Sequence, residues 1–156
     1  MTTVRRAEGR DIPAILRLLV QVNMVHHNGR PDLFKGPTTK YTEAELEQIL
    51  QNDDTPVFVC VDEGDRVLGH GFCALEHYGG RLMAERDTLY IDDICVDEAA
   101  RGRHVGQAIY EHILGNARKL GCYNVTLNVW VGNDAAQRFY EHLGMKPQKI
   151  GMETIL

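Results

Sequence analysis

The sequence contains no run of eighteen consecutive apolar residues, and its opening stretch MTTVRRAEGRD lacks the apolar core of a secretory signal. The expectation is a cytoplasmic protein with no membrane partner. Net positive charge is lacking too: 17 basic residues stand against 22 acidic ones, a formal charge of −5. A nucleic-acid binder carries a basic footprint. This balance argues against nucleic acid and suits a cationic acceptor better than an anionic one. The four cysteines (Cys60, Cys73, Cys95 and Cys122) form no CxxC pair, and the seven histidines show no HExxH spacing. Zinc and redox readings therefore have little support, and no metal is expected. The cysteines fall mostly inside strand-like runs such as VFVCV and DICV, where reduced buried thiols belong. The phosphate motif GxxxxGK[ST] is absent, and no GxGxxG follows the first strand. No internal repeat, low-complexity tract or linker divides the chain.

What remains is an ordinary globular composition, 44% apolar and 25% charged over 156 residues. It fits one domain, 1–156, that buries about two-thirds of its unfolded surface. VRRA (4–7) reads as a first strand. Ile12, Ile15, Leu16, Leu19 and Val22 trace one face of a helix that Pro13 tolerates only near its start. Residues 26–41, HHNGRPDLFKGPTTKY, have little periodicity and read as a long loop, a class often functional. Thr42-Glu43-Ala44-Glu45 has capping-box form and opens a second helix through about Gln51. Strands follow at 56–63 and 66–77, joined as a hairpin around Gly64-Asp65, and at 88–96. Another strand is expected at 122–131, a short helix from Asn133-Asp134 to Gly144, and a last strand at KIGMETIL. The order β-α-α-β-β-β-α-β-α-β implies an α/β fold, a mixed sheet with helices on both faces.

Between the strand at 88–96 and the next helix lies VDEAARGRHVGQAIYEH (96–112). Val105, Ala108, Ile109, Ile113, Ala117 and Leu120 recur at helical spacing until Gly121. Two arginines flank Gly102 just before that helix. A helix N-terminus offers unpaired N–H groups and partial positive charge, so this entry is a phosphate cradle or else a surface loop with two solvated arginines. A second segment, NDAAQRFYEHLGM (133–145), follows across a strand.

Together these segments resemble the GNAT superfamily of acetyl-CoA-dependent N-acetyltransferases. The resemblance implies a mostly antiparallel sheet of six to seven strands flanked by about four helices. It sets Arg101, Gly102, Arg103, His104, Val105 and Gly106 on the family's (Q/R)xxGx(G/A) loop, whose backbone amides bind coenzyme A pyrophosphate. It sets Asn133, Ala136, Tyr140 and Gly144 on the NxxAxxxYxxxG pattern. The family's fourth loop glycine is here His104. Its side chain is compatible with the cradle if the residue already has helical φ/ψ and its Cβ points away. The resemblance makes Asn133 a cofactor contact and Tyr140 the acid that protonates the departing thiolate. At i, i+3, i+7 spacing Tyr140 also fits plain core packing.

LYIDDICV (89–96) resembles the LYLEDFFV-type strand of the spermidine/spermine and diamine acetyltransferase branch. By that likeness Asp92 deprotonates the amine, through water because Asp is shorter than Glu, and Asp93 helps hold a cationic acceptor. Successive strand residues face opposite ways, so the two acids are expected to divide these tasks. Asp93 equally suits a structural pair with an arginine. The backbone from Ile94 through Cys95 to Val96 is expected to pair with the pantetheine arm. The 26–41 loop, with His26, His27, Arg30, Asp32 and Phe34, is expected to line the acceptor pocket, His27, Asp32 and Phe34 as substrate contacts. The implied enzyme moves an acetyl group from acetyl-CoA to a primary amine of a small molecule by direct attack in a ternary complex. A homodimer is its candidate assembly. A protein N-terminal or lysine acetyltransferase and a non-catalytic CoA-binding sensor are the alternatives.

Overall fold

The protein, described over residues 1–156 by a computed structural model, is built on one five-stranded sheet. Strands β1 (Thr3–Arg6), β2 (Val57–Val61), β3 (Val67–Tyr78), β4 (Arg86–Val96) and β5 (Asn124–Leu127) lie in sequence order across it. The first three ladders are antiparallel and the β4–β5 ladder is parallel. Four helices flank it: α1 (Ile12–Gly29), α2 (Glu43–Gln51), α3 (Val105–Lys119) and α4 (Asp134–His142). The β4–α3–β5 crossover supplies the parallel pair, as such a connection requires.

The period-2 pattern of β2 divides the core. Val57, Val59 and Val61 face a cluster with Ile12, Ile15, Leu18, Leu19 and Leu46 of α1 and α2. Phe58 and Cys60 face the opposite cluster, with Ile109, Ile113 and Ala117 of α3. The fully buried Ile109 and Ile113 contribute roughly 1.5–3 kcal/mol each. They reach that depth because β3 carries glycine beneath them. A Cβ on Gly71 would come within 2.8 Å of Ile109 and 3.0 Å of Ile113. This close approach sets how near α3 lies to the sheet.

Three differences from the sequence pattern matter. α1 runs through His26 and His27 to Gly29, so the loop begins only at Arg30. Nothing before Gly29 and Pro31 breaks the helix, and histidines in a last turn suit its negative end. β5 stops at Leu127 rather than running to 131. Beyond it Val131 is almost fully exposed and Gly132 turns at φ +98°. Finally, KIGMETIL forms no strand, and the sheet has five strands instead of six or seven. Ile150, Met152 and Ile155 there face solvent, so the apolar alternation finds neither a ladder partner nor a face to cover. Glu153 nevertheless meets Arg30 at 2.6 Å.

Candidate active site

β4 changes character halfway along. Thr88 to Ile91 pair with Asn124 to Leu127 of β5. After that rung the strands part, and residues 92–96 have no neighbour on that side. On the β3 side Phe72 lies opposite Asp93 and Cys73 opposite Ile91, so Asp92 is the extra residue of a β-bulge. The bulge coincides with the opening of the sheet.

The bulge also corrects the alternation expected for the two acids. Ile91 and Ile94 both pack on the α3 side, which leaves Asp92 and Asp93 together between them. Asp92 accepts a 2.5 Å hydrogen bond from Lys40. Asp93 bonds His70 at 2.9 Å, and that ring stands edge-on to Phe72 of the opposite cluster. Two adjacent acids thus serve one face. His70 is fully buried and its Nδ1 has no partner; the Nε2 donates to Asp93. Asp93 pairs with a histidine rather than an arginine. Cys95 points away toward α1, donating to the Leu18 carbonyl at 3.3 Å, and burial pushes its thiol up to about 12. Its backbone remains on the open edge with those of Ile94 and Val96.

Beside that edge starts α3. No side chain caps it, and from Gly102 through Gln107 the backbone N–H groups donate to no acceptor within the protein. Gly102 turns at φ +79°. His104 sits at φ 59°, ψ 22°, in the left-handed region and not the right-handed conformation that would tolerate a side chain freely. The chain therefore holds histidine in a glycine conformation, at roughly 1 kcal/mol of strain. Arg101, Arg103 and His104 are exposed, and Arg101 approaches Glu98 at 3.8 Å. Gly106 is small for a separate reason: a Cβ there would meet Phe139 of α4 at 3.1 Å.

That contact sets α4, which carries Tyr140. The Tyr140 ring lies between Tyr110 and Phe139 in the α3-side cluster. Burial, and after it the charge of Asp93, holds its phenol well above the usual tyrosine range. The hydroxyl is not enclosed, so packing and an accessible proton coexist in one residue. Asn133 caps α4, its side chain accepting from the Ala136 N–H at 3.3 Å.

The 30–41 segment spans two places. At one end His27 Nδ1 meets the Phe34 carbonyl at 2.7 Å, and Phe34 packs on His26 and Trp130. Asp32 is held by two guanidinium nitrogens of Arg30, Nε and Nη2, which keeps its carboxyl below the usual range. At the other end Tyr41 stacks on Phe72. A cavity of about 300 Å³ opens there, walled by Tyr41, Ile49, Phe72, Glu76, Tyr90 and Asp92. His27, Asp32 and Phe34 do not line it; Val25, His26, Gly29, Arg30 and Trp130 instead border a smaller one of about 130 Å³ with Asn133. Lys40, His70 and Glu76 were not singled out in the sequence. A lone histidine within the apolar run VLGHGF was the one signal available for His70.

The sequence pattern of the acetyltransferase (GNAT) family matches residues 23–145. Glucosamine 6-phosphate N-acetyltransferase of Arabidopsis thaliana is 35% identical over 80 residues, 47% of this chain and 52% of that protein. An uncharacterized N-acetyltransferase of Methanocaldococcus jannaschii is 30% identical over 111 residues, 71% of this chain and 48% of that protein. The chain thus spans about half the length of the curated relatives it matches. Among solved structures, a tetramutant of the BH1408 protein from Bacillus halodurans superposes with TM-score 0.93 and 32% identity, covering 99% of both chains.

Proposed function

The chain belongs to the GNAT family of acetyltransferases, and on that premise we propose that it transfers an acetyl group from acetyl-CoA to a primary amine of a small molecule. One observation carries this reading: the edge of β4 left open at 92–96 and the free N–H groups of residues 102–107, which lead into α3, lie side by side with Tyr140 packed next to them. A pantetheine arm would complete the open β4 edge through Ile94, Cys95 and Val96, as an added strand does. A pyrophosphate would take the N–H groups of residues 102–107, with Arg101 and Arg103 supplying charge. Asn133 would act on the cofactor indirectly, by capping the helix that holds Tyr140.

Acetyl transfer to an amine demands a neutral nucleophile, donors for the oxyanion and a proton for the thiolate. In this reading Asp92 takes a proton from the bound ammonium, through water where the carboxylate is short of it. An N–H of the bulged β4 faces the acetyl carbonyl. Tyr140 gives its proton to the sulfur, and its raised pKa keeps that proton in place until a thiolate forms. Asp93, braced by His70, adds negative charge beside the reacting amine. All bond-making is direct, with both substrates bound together and no covalent enzyme intermediate.

A small cationic acceptor is supported by the cavity of about 300 Å³ beside Asp92, with Glu76 as its second acid. Two of the matched relatives are named for glucosamine 6-phosphate, itself a small amine. His27, Asp32 and Phe34 support the acceptor side by shaping the loop that ends at Tyr41. The reading needs no metal, and it takes the protein as cytoplasmic with a homodimer as the candidate assembly; no helix is long and apolar enough to cross a membrane. Thiol release from acetyl-CoA, measured across a library of small amines and short peptides, tests it. Release that depends on a small amine is expected. Release with peptides alone, or none with any acceptor, overturns it.

A further inference from the structure

The sequence holds five lysines, and Lys40 alone among them forms an ion pair. Its ammonium rests on Asp92, the first residue of β4 after the strands part, and 5.4 Å from the Tyr41 ring centre. The segment that delivers it is fastened on both sides. Asn23 of α1 holds the Lys35 and Gly36 carbonyls, Thr39 bonds the Tyr41 carbonyl, and Tyr41 stacks on Phe72. Lys40 therefore occupies the position that an acceptor ammonium would take on Asp92. Partial burial works against its charge, but the hydrogen bond it donates to Asp92, together with that carboxylate's charge, outweighs the burial and holds the ammonium above the usual lysine range.

We propose that Lys40 is a self-acetylation site, served by the Asp92 carboxylate and the acetyl-CoA of its own chain; this rests on the transferase reading above. The ammonium passes one proton to Asp92 and so to water. The neutral Nζ then attacks the thioester carbonyl, forming the C–N bond, and the C–S bond breaks. The second nitrogen proton is lost as Tyr140 protonates the departing sulfur and is itself reprotonated. The products are an Nε-acetyl lysine, coenzyme A as its thiol and one released proton. The strong pairing makes Lys40 a slow nucleophile, so the event is a single turnover that an acceptor amine outcompetes. Once acetylated, Lys40 carries no charge to occupy Asp92, and the carboxylate is open to external amines.

The test incubates the full-length protein with acetyl-CoA alone and follows each lysine by peptide mass spectrometry, with amine-dependent thiol release measured in parallel. Lys40 is expected to gain an acetyl group roughly tenfold or more faster than Lys35, its exposed neighbour on the same segment. The rate should not change with protein concentration, and Asp92→Asn should bring Lys40 down to the Lys35 rate. Added amine should slow the modification. If thiol release with amines proceeds while Lys40 reacts no faster than Lys35, the self-acetylation site is refuted and the transferase reading stands. If neither thiol release nor Lys40 modification occurs, both fall. A Lys40 rate that scales with protein concentration refutes transfer within one chain.

Discussion

Helices α2 and α3 begin in opposite ways. At α2 the Thr42 hydroxyl accepts from the Glu45 N–H at 3.2 Å, and the Glu45 carboxylate accepts from the Thr42 N–H at 2.9 Å. Two orphan donors are satisfied reciprocally, and the end is capped. At α3 the residue in the cap position is His104, left-handed and without a capping bond, and a run of donors is left over. β4 repeats the contrast within one strand, paired on both sides from Thr88 to Ile91 and on one side beyond Ile91. The closed ends hold the fold by themselves. The open ones lie next to each other, and in our reading one ligand completes both.

Breaking the open half where its parts converge should have the largest effect. Tyr140→Phe keeps the ring between Tyr110 and Phe139, so melting temperature and acetyl-CoA affinity should stay near wild type. Steady-state kinetics should show kcat lowered roughly 10- to 1000-fold. The sign of the pH dependence follows from the raised phenol. The acid stays protonated below its elevated pKa, so wild-type kcat should show no alkaline fall below about pH 10.

Next in size is the cradle. Arg101→Glu reverses charge beside the unused N–H groups, and calorimetry should show acetyl-CoA bound roughly 10- to 100-fold more weakly, with no loss of fold. The matching change at the closed end is Thr42→Ala. It should cost about 1 kcal/mol in chemical denaturation and leave acetyl-CoA affinity alone. The smallest effect sharpens the contrast. His104→Gly relieves the left-handed strain but gives part of it back as chain entropy, for a net gain of roughly 0.5 kcal/mol in stability. Its acetyl-CoA affinity should be equal or slightly tighter.

The parts legible in the sequence were those fixed by local pattern. The Thr42–Glu45 cap, the Asp65 turn with its φ of 62°, the α3 face and the order of elements all follow from spacing and turn chemistry. Long-range fit was not legible. Alternation in LYIDDICV cannot reveal a bulge, which depends on the register against β3, and so it sent Asp92 and Asp93 to opposite faces. The left-handed conformation of His104, at the entry to α3, is one that its residue type rarely adopts and that no local pattern announces. Lys40 comes to Asp92 across 52 residues of chain, through a loop with no period of its own. KIGMETIL shows the reverse error, a strand-like pattern without a partner.

Amide hydrogen exchange with and without acetyl-CoA tests the central contrast most directly, because it reads the N–H groups themselves. The account predicts strong new protection at residues 102–107 and along 92–96, with the first turn of α2 unchanged. Protection that spares 102–107, or that appears equally at α2, would contradict it.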